Sequence, residues 1–396
     1  MSNLTRYLYC EDEVKASLIS SLLKRVGIQE CYFWLSELYY TGTNVFNLIW
    51  EIYIDYYAIV NPHLENYIIK KQIAWENDKN EEHLCTILKN LYISQTNGSV
   101  FILKQLCLTD ELSPTHILKG RPKNWLIKYN KDFRELVYFI HSKSWINVCY
   151  QIINLSNIKN KSFNEIFGII YEYCLNELSD IKKHNDLLET IKKMWEEKKC
   201  KDLLQYILLI ICLITFARDA RNDVEDSCTE NKEKHIYIIP NKSDIDYFKK
   251  TNIVNEIMKP RNVLLHKRLY YIDSTIGCFS LERFTWNNYI EFKTEMLNNW
   301  EFYASRCSLW KNRIENYEID YDIDNSKIIF KNISEEEEFY NKYNYEPDEQ
   351  CKELQDCGLL EIKKSYCKDW IKGNNLEFIP SINDNLDIPD NMTLHL

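Results

Sequence analysis

A chain of 396 residues with only 8 glycines and 8 prolines has few places where its backbone can turn sharply. Sandwiches, barrels and nucleotide-binding α/β folds need many such places, because their hairpins and phosphate loops draw on backbone angles that glycine adopts at little cost. Helices joined by short polar links are the solution that remains. Hydrophobic residues make up 45% of the chain, enough for a substantial core, and the length suggests more than one packing unit.

The spacing of apolar residues bears this out near the start. Val14, Leu18, Ile19, Leu22 and Leu23 keep a helical period behind the acidic turn at Glu11. Gly27 then closes a helix over 11–25. A second helix is predicted over 30–40, stopping at Gly42, and a third after Thr43-Asn44, ending at Asn61-Pro62. Similar periodicity predicts helices near 63–76, 81–96, 132–156, 162–179, 185–199, 201–217, 243–258 and 286–316. The segment 235–239 reads as a short strand with nothing obvious to pair with. No internal repeat of 30 to 50 residues emerges, which argues against a regular solenoid.

The longest apolar run, Leu203 to Ala217, would span about 22 Å as a helix, short of the roughly 30 Å of a bilayer's hydrocarbon core. It reads as a central buried helix, with no membrane span. The start of the chain carries no basic end followed by an apolar stretch, so no secretory leader is expected. The 14 cysteines are scattered without paired spacing and read as reduced thiols in apolar positions.

Charge is unevenly placed. Residues 315–396 hold 20 acids and 8 bases, a net of −12, so the formal −10 of the chain leaves a net of +2 for residues 1–314. Cys351, Leu354, Leu359, Leu360 and Trp370 offer apolar contacts for helices near 347–357 and 360–371. The expectation is a loosely docked acidic appendage, and a body that stays folded when the chain stops at Asn316.

Two basic clusters are candidates for nucleic-acid contact. The first, over 119–143, contains Lys119, Arg121, Lys123, Lys128 and Lys131 with Trp125, Tyr129 and Phe133 interleaved. Cations that pair with phosphates and rings that stack on bases are what a single strand needs. The same rings at i, i+4 and i+8 also make a core stripe with the lysines as a solvated face. The second cluster contains Arg261, His266, Lys267 and Arg268. Acids at 219, 223, 225 and 226 are a weak Mg²⁺ signal, and Cys351, Cys357, Cys367 and His395 have no compact zinc spacing. No phosphate-binding glycine loop, nucleophile elbow or metal-spaced histidine pair is present, so no cofactor or metal is expected.

The phrases RYLYCEDEVKASLISSLLKR (6–25), ECYFWLSELYYTG (30–42), LIWEIYIDYYAIVNP (48–62), GRPKNWLIKYN (from 120) and RLYYIDSTIGCFSLERF (268–284) resemble a family of uncharacterised proteins of giant nucleocytoplasmic DNA viruses, of the mimivirus kind. The resemblance covers about the first 290 residues and leaves out the acidic end. It implies a viral origin, and a place in the host cytoplasm, the viral factory or the virion. It brings no activity or catalytic residues. The usage of 38 Lys against 11 Arg, with 39 Asn and only 6 Ala, fits an AT-rich coding genome.

These observations predict a mainly α protein, an irregular multi-helix array with an acidic C-terminal appendage. The expected parts are a helical body over 1–230, a second helical part over 231–316 and an acidic region over 317–396. The expected function is that of a non-catalytic intracellular scaffold or interaction protein in a viral replication compartment, with other proteins as partners. A nucleic-acid accessory factor using 119–143 is the alternative, and an enzyme with an unfamiliar site the second alternative.

Overall fold

The computed structural model describes residues 3–109, 112, 122–177, 184–196, 202–222, 237–250, 270–343 and 352–396. Among them are nineteen α-helices and one two-stranded hairpin, so the protein is mainly α. The first six helices are α1 (Glu11–Lys24), α2 (Ile28–Thr41), α3 (Val45–Tyr56), α4 (Leu64–Asp78), α5 (Glu82–Ile93) and α6 (Ser99–Cys107). Next come α7 (Lys131–His141), α8 (Trp145–Ile153), α9 (Phe163–Glu177), α10 (His184–Glu196), α11 (Leu203–Asn222) and α12 (Lys242–Lys250). Three short helices follow, α13 (Tyr289–Asn298), α14 (Trp300–Ala304) and α15 (Ser308–Ile314), before strands β1 (Ile319–Asp322) and β2 (Lys327–Phe330). The last are α16 (Ile333–Tyr343), α17 (Lys352–Leu359), α18 (Cys367–Gly373) and α19 (Pro380–Asn385).

The N-terminal helices form where the spacing places them. Gly42 ends α2 at φ +102°, a value that costs glycine little, and the Asn44 side chain caps α3 by accepting from the Asn47 amide. Helix α11 is buried on all sides from Tyr206 to Ile214 and packs against α3, α6, α9, α10 and α19. An all-round apolar stretch this short, inside a helix that ends in charged residues, belongs in a core. No described helix is long and apolar enough to cross a membrane.

Several elements differ from the expectation, each for a local reason. The helix predicted over 132–156 breaks into α7 and α8 at 142–144, where Lys143 takes a left-handed φ of +56°. The helix predicted over 286–316 is three, interrupted at Asn299 and at Ser305 to Cys307. Helix α6 fell outside the predicted set. Residues 237–239 form no strand; instead the Asn90 amide serves as a one-residue strand partner. Its Nδ2 donates to the Ile238 carbonyl at 2.8 Å, and its Oδ1 accepts from the Ile238 amide at 2.9 Å.

Two apolar cores result. The larger runs from Tyr9 through Leu281 and takes in Cys357, Ile362, Cys367, Trp370, Leu376, Ile379, Ile382, Met392 and Leu394. The smaller gathers α13 to α16 with Leu4, Cys10 and Leu359. The acidic C-terminal region therefore has two fates. Its hairpin and α16 build the smaller core, whereas the buried residues from 357 onward, Leu359 apart, are a layer of the larger one, not a loose appendage. Backbone bonds tie that layer down: Gly98 N to Glu377 O at 2.8 Å, Leu394 N to Cys278 O at 2.9 Å, and Ser365 N to Gly277 O at 3.0 Å. Gly277 is so close to the returning chain that a Cβ there would lie 2.1 Å from the Lys363 carbonyl oxygen. The charge of this stretch gives no sign of its burial, which rests on contacts with residues far off in the sequence.

Candidate interaction surfaces

The basic aromatic segment lies against α9, whose acids meet two of its cations. Lys123 Nζ reaches both Glu177 oxygens, at 2.5 and 2.7 Å, and Lys128 Nζ lies 2.7 Å from Glu172. Lys131 pairs more loosely with Glu135 at 3.5 Å. The rings are engaged as well. Trp125 Nε1 donates to Glu177 at 3.3 Å, Tyr129 donates its hydroxyl proton to Glu172, and Phe133 is buried. The bonds from Lys128 and Tyr129 hold the Glu172 carboxyl below its usual range. For Glu177 burial pushes upward, but bonds from Lys123 and Trp125 outweigh it and the carboxyl is lowered too. Rings half-buried against the core do not stand free to stack on bases, and each described lysine of the segment has an acidic neighbour. Lys119, Arg121, Arg261, Lys267 and Arg268 lie outside the described residues, as does any shared face of the two clusters.

At the end of this segment, Lys143 Nζ lies 2.7 Å from Asp219, whose second oxygen accepts from the Ser381 amide at 2.9 Å. Asp219 is thus a link between α11 and the C-terminal layer. Its expected companions Asp223, Glu225 and Asp226 lie outside the described residues. Cys357 donates to the Glu353 carbonyl, Cys367 is buried, and His395 Nδ1 sits 3.2 Å from Ser280 Oγ; Cys351 lies outside the described residues. The one grouping of potential metal ligands among the described residues is Cys10, Asp12 and Glu13. A guanidinium already occupies it: Arg283 bonds both Glu13 oxygens, at 2.6 and 2.9 Å.

The hairpin presents the opposite chemistry. Ile319 pairs with Phe330 and Tyr321 with Ile328, so these four share one face, and Phe330 reaches the buried Phe339 of α16. Asp320 and Ile329 face the other way. β1 has no second strand on its outer edge among the described residues. Ile323, Ile329 and Ile333 are 70%, 50% and 75% exposed, and Tyr321 is exposed as well. Asp320, Asp324 and the run Glu336 to Glu338 of the same module are exposed too. Sequence reasoning missed this hairpin, although its signal was there: two short apolar alternations flank Asp324-Asn325-Ser326, a turn in which Ser326 takes φ +53°. No family model matches the chain, and no curated protein or solved structure matches it.

Proposed function

We propose that this is a non-catalytic interaction protein whose contact surface is the acidic hairpin module, residues 318–343. The observation that supports it is the exposure of three isoleucines, 323, 329 and 333, in a module rich in exposed carboxylates. Apolar side chains that stay exposed beside an open strand edge are what strand addition by a partner requires. The module carries Glu318, Asp320, Asp322, Asp324 and Glu335 to Glu338 against Lys327, Lys331 and Lys342, which selects a basic partner. Acids along an open edge also discourage pairing between copies of the chain, so the edge is reserved for a partner of opposite charge. The viral replication compartment is proposed on the resemblance alone.

Fluorescence anisotropy with a labelled peptide of alternating lysine and valine tests this reading. The wild-type chain should bind it at least tenfold more tightly than a glutamate–valine peptide at low salt. Ile323→Ser with Ile329→Ser, which removes the apolar contacts and adds no charge, should weaken the lysine–valine peptide about tenfold. Equal affinity for the two peptides would refute the proposal. Salt-dependent binding of a single-stranded oligonucleotide, lost on charge reversal at Lys123, Lys128 and Lys131, would favour the accessory-factor reading instead.

A further inference from the structure

A cavity of about 390 Å³ opens between α1, α3 and α6, on a side of the larger core that the proposed contact surface does not use. That volume falls within the range of small-molecule sites, roughly 300 to 1,000 Å³. Its floor is apolar: Leu48 and Ile52 of α3 lie beside the stacked rings of Tyr56 and Phe101, whose centroids are 4.9 Å apart. Its wall is charged, and most of the charge is already spoken for. Asp55 accepts from Lys104 at 3.2 Å and from the buried Gln205 amide at 2.7 Å. Lys15 pairs with Glu11 at 3.0 Å. The two oxygens of Asp12 accept backbone amides of Glu13 and Glu282, each at 2.8 Å.

Glu51 is different. It stands on α3 one turn before Asp55, lines the same cavity, and makes no hydrogen bond or ion pair among the described residues. Burial pushes its carboxyl above the usual range even though Lys104 draws it down. A half-buried carboxyl is partly stripped of water, and an ammonium donor supplied from the cavity would favour its charged form. The cations facing the space have acids of their own, so an anionic guest would have to displace one of them. We infer that the cavity is a binding site for a small amphipathic amine, whose ammonium group donates to Glu51 while its apolar body lies on Leu48, Ile52 and the Tyr56–Phe101 stack.

Three probes with the same phenyl body and different heads decide the matter: 2-phenylethylamine, 2-phenylethanol and phenylacetate, titrated into the full chain by calorimetry at low salt. The amine should bind at least tenfold more tightly than the alcohol, with phenylacetate weakest. Glu51→Gln, which keeps the shape and disturbs no partner, should reduce amine affinity about tenfold and leave the alcohol unchanged. Glu51→Lys, which puts an ammonium in the cavity from within, should remove amine binding altogether. Raised salt should weaken the amine and spare the alcohol. Equal affinity for amine and alcohol, tighter binding of phenylacetate, or an amine affinity indifferent to Glu51→Gln would each overturn the inference.

Discussion

The indole nitrogen of Trp145 donates to the carbonyl oxygen of Ser381, 2.9 Å away across 236 positions of the chain. Both groups are buried, and the bond joins α8 to α19. The Ile379 amide donates to Ser99 Oγ nearby, and the Gln105 side chain bonds both backbone groups of His395, so the chain end is stitched to α6 and α8. The last twenty residues thus complete a core that began forming far upstream.

Removal of that layer should therefore be severe. Leu376, Ile379, Ile382, Met392 and Leu394 are buried, and each is worth about 1.5–3 kcal/mol on burial. Their sum rivals the whole 5–15 kcal/mol stability typical of a domain. A chain ending at residue 375 should lose cooperative urea unfolding and near-ultraviolet circular dichroism. One ending at Asn316 should fare no better, contrary to the expectation that the core helices all lie earlier in the chain. Retention of a sharp transition in either would show that the layer is dispensable.

The Glu13–Arg283 pair fastens α1 to the turn that precedes α13. Both side chains are almost fully buried, and Arg283 also donates to the Leu360 carbonyl. Breaking a buried pair strands the surviving charge, at about 3–5 kcal/mol, whereas replacing both partners with apolar groups is often close to neutral. Glu13→Leu and Arg283→Met should each lower stability by that amount. The double variant should recover most of the loss. A double-mutant cycle from denaturant midpoints reads the coupling, and strictly additive losses would mean the two side chains act separately.

Asn90 offers a smaller version of the same logic. Its amide alone satisfies both backbone groups of Ile238, and Asn90→Ala would strand them at about 1–3 kcal/mol each if they stay dry. Asn90→Asp keeps the acceptor for the Ile238 amide but turns a carboxylate oxygen toward the Thr86 and Ile238 carbonyls at a buried position. Hydrogen exchange at the Ile238 amide should thus quicken strongly in the alanine variant and less in the aspartate variant. Equal exchange in both would remove Asn90 from the role of strand partner.

How far the sequence carried the fold depended on period and on length. Long regular patterns such as Val14 to Leu23, and the all-apolar Tyr206 to Ile214, declared their helices because one dominant force acts along them. Breaks such as Lys143 stayed hidden, since a left-handed lysine leaves no mark that distinguishes it from any other lysine. The C-terminal layer was hidden for another reason. Its contacts are long-range backbone bonds like Leu394 to Cys278, and no local pattern encodes those. For the site, cation and ring were legible at 119–143, but the acids that meet them, Glu172 and Glu177, are some fifty positions away on α9. Glu51 and Asp55 were visible as a pair one helical turn apart, yet only the packing of α1 and α6 makes a cavity in front of them.

Asp273 gives the pH dependence a definite sign. Burial tends to raise its carboxyl, but Lys24 at 2.6 Å, Ser20 at 2.6 Å, and the Thr275 amide and hydroxyl at 2.9 and 2.8 Å together hold it below the usual carboxylate range. A group whose folded pKa lies below its unfolded value near 3.9 stabilises the fold fully above that value. The contribution fades as pH falls through the depressed folded value. Asp219, lowered by its bonds to Lys143 and Ser381 against the upward push of burial, acts in the same direction. The chain should therefore lose stability steeply below about pH 4. Asp273→Asn keeps an acceptor for the Thr275 amide and removes the charge that Lys24 answers. At pH 7 the variant should unfold at lower urea than the wild type. Between pH 5 and pH 3 the gap should narrow, because acid removes from the wild type what the substitution has already removed. A gap of constant size across that window would mean that the carboxylate charge contributes nothing, and that the turn at Asp273 is held to α1 by packing alone.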